Sequence, residues 1–349
     1  AVVFVPLAPR FGLDPIIAIA LGAMIGGLGQ IALQVPALRH EGYRYRPVLN
    51  PFDPGLLEIL RLIGPGTFAG AALQINLLVN TILATGEGTG AVSWLGYAFR
   101  IMYLPIGLFG VSIATATLPA VSRYAAQDEL TGIRQTVSRA LRMMLMLTVP
   151  ALVGLIVLAD PIVGLIFERG SFTSADTTAT AAALAFYAPG LVGYATVRIC
   201  LPCFYALKDS LTPTLVSITS VALNIALNVI LVQSMGYRGL ALGTSIAALM
   251  NAGLLYYLLR RRLGGLDTPR VLLALAKISV AALLMGVAAL GVHVWLVNLW
   301  PDNALTARFV RVVTSVGSGL IVLIISSRLL QIHEWTQAQR RLLSQLSIH

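Results

Sequence analysis

Charge is what this sequence has least of. Only 11% of its 349 residues are Asp, Glu, Lys or Arg, against about 25% in a typical soluble domain. Hydrophobic residues make up 57%, and the mean hydropathy is +0.85, which excludes a water-soluble globular enzyme and a disordered chain. Acid is scarcer still. The fourteen Asp and Glu all fall in loops or near the ends of apolar runs, so the chain has no buried carboxylate for a proton relay and no carboxylate pair for acid–base catalysis. Cysteine is almost absent. Cys200 and Cys203 form a Cys-Leu-Pro-Cys inside an apolar run with no strand pattern around it, which reads as helix packing rather than a redox centre. There is no Ser-His-Asp arrangement, metal-ligand cluster or phosphate-binding glycine loop. A basic segment followed by a cleavage site is also lacking. Ala1–Pro9 reads as the tail of an apolar segment, and the expectation is that further spans precede it.

What the sequence has is apolar runs of membrane-spanning length. Residues 15–38, 56–85, 91–122, 135–158, 177–207, 213–233, 238–259, 270–297 and 305–329 predict about nine transmembrane helices in an all-α polytopic bundle. The formal net charge of +10 raises nucleic acid as a partner, but the positive residues cluster in linkers between spans, as membrane topology requires. No nucleic-acid-binding motif accompanies them. Most Lys and Arg occupy 39–61, 123–142, 208, 260–277 and 328–341, while the alternate side carries Arg10, Arg169, Arg238, Arg308 and Arg311. The rule that positive charge stays inside makes the arginine-rich side, and with it the C-terminus, cytoplasmic. Residues 331–349 read as a cytoplasmic surface helix.

Two arginines break the pattern by lying within spans, Arg100 and Arg198. Arg100 follows Ser93 by about seven residues, roughly 10 Å into a hydrocarbon core about 30 Å thick. No acid lies between Glu87 and Asp128, so its own helix offers no counter-charge. Burying such a group is costly unless it faces a hydrated cavity, another helix or a ligand. Its planar fork of donors suits phosphate or carboxylate. The expectation is a substrate-binding arginine on a cavity wall; the alternative is a structural arginine bonded to neighbouring carbonyls. Arg198 lies about ten residues, or 15 Å, from the end of its span, where a cavity role competes with snorkelling.

Neutral polar residues also sit inside spans. Asn224 and Asn228 share a helix face, Thr244 lies on the next span and Asn80 on an earlier one. Oxygens from several helices can coordinate sodium, but none of these four is a carboxylate. Hydrogen bonds between helices are the preferred reading, with a sodium ion the alternative and no other cofactor implied. Proline and glycine recur within spans, at Pro105, Pro119, Pro150, Pro189-Gly190 and Pro202. They predict kinks of the kind transporters tolerate around cavities. Ile162, Leu165 and Ile166 predict a short helix before a turn at Gly170, with Thr173 or Ser174 capping the next span. Thr212 and Pro213 mark another start, as N-cap and first helical residue.

Several stretches, in this order and spacing, resemble one known family. They are Gln74-Ile-Asn-Leu-Leu-Val-Asn80, Val92-Ser-Trp-Leu-Gly-Tyr-Ala-Phe-Arg100, Pro105-Ile-Gly-Leu-Phe-Gly110 through Pro119, Phe167-Glu-Arg-Gly-Ser-Phe-Thr173 and Phe204-Tyr-Ala-Leu-Lys-Asp-Ser-Leu-Thr-Pro213. The chain is similar to the MurJ (MviN) lipid II flippases of the multidrug/oligosaccharidyl-lipid/polysaccharide exporter superfamily. The resemblance covers the later part of a two-lobed, fourteen-helix fold. It implies the end of a first lobe at 1–55, a second lobe of six spans at 56–262, two further spans at 263–330 flanking a groove for a polyprenyl tail, and a tail at 331–349. It implies alternating-access transport of undecaprenyl-pyrophosphate-linked disaccharide-pentapeptide (lipid II) across the bacterial plasma membrane, for peptidoglycan synthesis, rather than enzymatic catalysis. The family's cationic cavity places the arginine of its Ser-Trp-x-x-x-Ala-x-Arg pattern at Arg100. Where the pattern often has Asp, this chain has Phe99. Export of another lipid-linked oligosaccharide or of a drug is the alternative; a cationic drug would call for acids this chain does not supply.

Overall fold

A computed structural model describes residues 15–40, 42, 54–301 and 304–331. The expectations for Ala1–Pro9 and for the tail beyond Gln331 lie outside the described residues. The chain divides into two compact units, residues 1–60 and 61–349. The first contains α1 (Pro15–His40), whose Met24, Leu28 and Leu33 are exposed. Everything that follows concerns the second.

The helices are α2 (Pro54–Thr85), α3 (Ala91–Pro105), a π-helical turn (Ile106–Gly110), α4 (Val111–Ala126), α5 (Leu130–Val157), α6 (Ala159–Phe167), α7 (Ser174–Tyr187), α8 (Gly190–Ala206), α9 (Leu211–Met235), α10 (Tyr237–Arg262), α11 (Thr268–Leu299) and α12 (Leu305–Leu329). Among the described residues, seven helices are long and apolar enough to cross a membrane, or eight if the bent pair α7–α8 is one span. The nine expected runs are all helical, but the span from 56 to 85 contributes only Gly70–Thr85 as a shorter apolar helix. The count differs for that reason.

Two expected spans are broken, each at a proline. Pro105 has no N–H to give the preceding turn, and its ring crowds the carbonyl four residues back. The helix answers by widening: Val111 N–H reaches back five residues to Ile106 O, the π register, and α4 continues from there. At Pro189, α7 and α8 meet at 46°. Both breaks flank the cavity described below. The other local signals are specific. Gly170 takes the left-handed conformation at φ +64. Thr173 caps α7 in a reciprocal box with Asp176, whose Oδ2 accepts from Thr173 N–H at 2.8 Å. At the start of α9 the cap differs from the expectation. The helix begins at Leu211, and the Asp209 carboxylate accepts from Thr212 N–H at 3.0 Å and from its hydroxyl at 2.8 Å. Asp209 also pairs with Arg262 at the end of α10, so a carboxylate outperforms the hydroxyl because it serves a helix start and a cation together.

Three apolar clusters hold the bundle. Leu95, Ala98, Ile101 and Met102 of α3 pack against Val163 of α6 and Leu184, Ala188 and Leu191 of the α7–α8 pair. Val121, Ile133, Val137 and Leu141 join α4 and α5 to Ile199 and Phe204 of α8 and Leu255 and Leu259 of α10. Leu145, Met146, Val149 and Val153 of α5 meet Ile278, Ala281 and Met285 of α11. Helices α11 and α12 pair with each other, and α12 is tied to the loop before α7 by Arg308, whose Nη2 donates to Glu168 Oε1 at 3.0 Å. The other Glu168 oxygen accepts from the Thr177 hydroxyl at 2.8 Å.

Candidate functional site

Arg100 is aimed by the way α3 begins and packs. Gly90 precedes the helix at φ +103, and the Trp94 ring folds over it so closely that any Cβ would collide. That fold lets Trp94 Nε1 donate to Asp176 Oδ1 at 2.8 Å and locks α3 to α7. With Leu95, Ala98, Ile101 and Met102 buried on one side, the stripe Val92, Gly96 and Arg100, spaced by four, is left on the other. This stripe forms one wall of a cavity of about 450 Å³. The opposite wall is α2, with Leu73, Asn76 and Asn80, and the floor is Phe99, Tyr187, Tyr194 and Thr244. Arg100 is exposed, and its guanidinium lies 5.8 Å from the centre of the Tyr97 ring, within cation–π range. Among the described residues Arg100 forms no ion pair.

Arg198 does not share that cavity. It lies exposed on α8, where Nη2 donates to the Tyr103 hydroxyl at 3.3 Å, and it borders a shallow cleft against α4 with Thr117, Val121 and Pro202. An aromatic cluster lies between the two arginines. Phe99 contacts Tyr187 at 5.6 Å, Tyr103 at 5.8 Å and Tyr194 at 6.0 Å between ring centres.

Asn80, Asn224, Asn228 and Thr244 do come together. Asn228 Nδ2 donates to Asn80 Oδ1 at 2.6 Å and to Asn224 Oδ1 at 3.2 Å. Asn80 Nδ2 donates to Asn224 Oδ1 and Asn224 Nδ2 to Thr244 Oγ1, both at 3.4 Å. An amide nitrogen thus occupies the place between oxygens that a cation would need, and no member carries negative charge. Three of the four oxygens already accept hydrogens, and Asn228 Oδ1 faces Gly243 so closely that a Cβ there would collide. This arrangement does not fit a sodium ion; it is a hydrogen-bonded clamp joining α2, α9 and α10.

Sequence reasoning missed the aromatic cluster and the neutral residues beside it, Asn76, Ser217, Ser220 and Asn251. The signal was available as spacing: Phe99 and Tyr103 stand four apart, Tyr187 and Tyr194 seven, Asn76 and Asn80 four. Each pair shares one helix face.

A second, apolar hollow of about 520 Å³ runs along α5, α11 and α12. Met146, Pro150, Gly154 and Leu158 form one ridge of α5 along it, facing Ala281 and Met285 of α11 and Gly319 and Leu323 of α12. Its depth comes from small residues, Gly154, Ala281 and Gly319. Pro105, five residues after Arg100, reaches its wall, so α3 borders both hollows about 7.5 Å apart along its axis.

Comparison with known proteins agrees with this layout. A family model described as "Lipid II flippase MurJ" matches residues 2–311. A Vibrio cholerae protein named "Probable lipid II flippase MurJ" is 38% identical over 243 residues, covering 70% of this chain and 46% of that protein. A Haemophilus influenzae protein of the same name is 33% identical over 304 residues, covering 84% and 58%. The solved structure described as "Lipid II flippase MurJ, inward closed conformation" superimposes with a TM-score of 0.70 at 25% identity, covering 92% of this chain and 64% of that one. The chain spans about half the length of the curated relatives it matches.

Proposed function

The chain belongs to the MurJ family of lipid II flippases, and from that premise we propose that it carries the diphosphate-binding and tail-guiding part of a transporter for lipid-linked peptidoglycan precursor. The observation that carries the reading is Arg100: a guanidinium on the wall of a cavity about 450 Å³ in volume, inside a membrane bundle, with no ion pair among the described residues. A permanently charged fork in low dielectric gains most from an anion that can be bonded at two oxygens. A pyrophosphate offers that, and Tyr97 stabilises the guanidinium from one face without neutralising it.

Transport needs two environments at once. The charged head crosses through the polar cavity while the polyprenyl chain stays in apolar surroundings. The hollow along α5, α11 and α12 supplies the second, and α3 stands between them. The π turn after Pro105 gives α3 a built-in weak point, where a change in helix register would move Arg100 relative to the hollow. Alternation of the cavity between the two sides of the membrane, with the C-terminus on the cytoplasmic side, belongs to the same proposal.

Filling the apolar hollow tests it. Gly154 has only the Met285 methyl within 4 Å of the position its Cβ would take, at 3.7 Å. Gly154→Phe is therefore expected to be accommodated and to occupy the hollow. In a flippase-depleted strain it should lower growth rescue at least about tenfold in plating efficiency, an estimate from the loss of apolar burial for several methylenes of tail. Full rescue at normal protein level would remove the hollow from the transport path.

A further inference from the structure

Beside the arginine cavity lies a smaller chamber of about 100 Å³ that the reading above leaves unused. Its walls include Asn76, Tyr194, Ser217, Ser220, Thr244 and Asn251. It shares Leu73, Asn76, Tyr194 and Thr244 with the arginine cavity, so the two adjoin. No charged residue lines it.

The hydrogen-bond inventory is unbalanced. Ser220 and Thr244 give their hydroxyl hydrogens to Val216 O and Leu240 O of their own helices, both at 2.8 Å, leaving only lone pairs for anything else. Asn76 Oδ1 and Asn251 Oδ1 are buried and accept from nothing among the described residues. Unpaired buried acceptors inside a membrane protein are costly. The chamber therefore calls for a neutral guest that brings donors. A phosphate brings none at neutral pH and would be desolvated without a counter-charge. Hydroxyl and N–H groups suit it, and a volume of about 100 Å³ takes one small polar group or about three waters.

We infer that this chamber, bounded by Asn76, Ser220 and Asn251, is a subsite for a neutral hydroxyl- or acetamido-bearing sugar attached to the diphosphate held at Arg100. The inference rests on the diphosphate reading of Arg100 and adds to it a source of selectivity. Arg100 grips any prenyl diphosphate; the chamber separates a glycosylated one from a bare one. A site built to bond a polar group rejects a ligand lacking it, because its own buried acceptors stay unpaired.

The test uses the full-length transporter in detergent and two probes, undecaprenyl pyrophosphate and the same lipid carrying the disaccharide-pentapeptide. Asn251→Leu should weaken binding of the glycosylated lipid about tenfold, the equivalent of one or two lost hydrogen bonds, and leave the bare diphosphate within about twofold. Ser220→Ala, a smaller change, should shift the ratio in the same direction and guards against a folding defect in the first variant. Equal weakening of both probes, or of neither, by both variants overturns the inference and leaves a merely hydrated chamber. Arg100→Ala separates the two levels. It should weaken both probes, and if it weakens neither, the diphosphate reading falls and the sugar subsite with it.

Discussion

Arg100→Ala is expected to abolish rescue of cells depleted of their flippase, with the protein present in the membrane at its normal level. The fold should tolerate the change because the side chain is exposed to a cavity rather than packed, and Leu95, Ala98, Ile101 and Met102 on the opposite face keep α3 in place. What is lost is the cation that meets the diphosphate. Hydrogen bonds to charged groups contribute about 1.5–3 kcal/mol each, so losing two predicts at least a hundredfold weaker binding. Arg100→Lys should restore growth only in part, since an ammonium keeps the charge but not the two-pronged geometry. Complete rescue by Lys would reduce the role of Arg100 to a point charge; complete rescue by Ala would remove it from the site.

Gly193→Val is expected to have an effect of similar size by a different route, through folding. A Cβ at Gly193 would lie 2.6 Å from the backbone carbon and oxygen of Ala248 and 2.8 Å from the backbone nitrogen of Leu249. Backbone cannot rotate away as a side-chain tip can, so α8 and α10 would have to separate. Forcing extra atoms into a close-packed contact costs about 1–3 kcal/mol, and here the separation also pulls Tyr194 away from Phe99 and Thr244. The expected result is a lower melting temperature in detergent and a reduced amount of folded protein, with rescue lost in proportion. Normal stability would mean that the two helices do not cross as closely as the fold has them. A milder loss for Gly193→Ala than for Val is the graded outcome that close approach predicts.

How far the sequence led depends on the kind of signal. Helices were legible throughout, because runs such as Leu130–Val157 and Thr268–Leu299 have no other way to satisfy their backbone in lipid. Gly170 and the Thr173–Asp176 box were legible because each depends on neighbouring residues alone. Arg100 stood out through the cost of placing a charge in an apolar run. The breaks were only half legible. Pro105 announced a disturbance, but a π turn that lets the helix continue depends on where Ile106 and Met144 pack around Gly110. The start of α9 was displaced because Arg262, 53 residues away, recruits Asp209. Arg198 shows the limit most clearly. In sequence it resembled Arg100, a lone cation in a span, yet helix rotation turned it to Tyr103 and a cleft against α4. The four polar residues Asn80, Asn224, Asn228 and Thr244 were rightly grouped, but which atom donates to which is set by three-dimensional packing.

The central claim is that Arg100 meets a diphosphate in a water-accessible chamber. Gly96 lies one helical turn before it on the same wall, with nothing within 4 Å of where its Cβ would stand, so a thiol there reports on the chamber without disturbing it. The native Cys200 and Cys203 are buried and give little background. The measurement is the rate at which a charged, membrane-impermeant thiol reagent modifies Gly96→Cys in the purified full-length transporter, with and without undecaprenyl pyrophosphate. The account predicts ready modification, slowed by the lipid when Arg100 is present and not slowed when Arg100→Ala is added. A thiol that the charged reagent cannot reach, or protection that persists without the guanidinium, would contradict it.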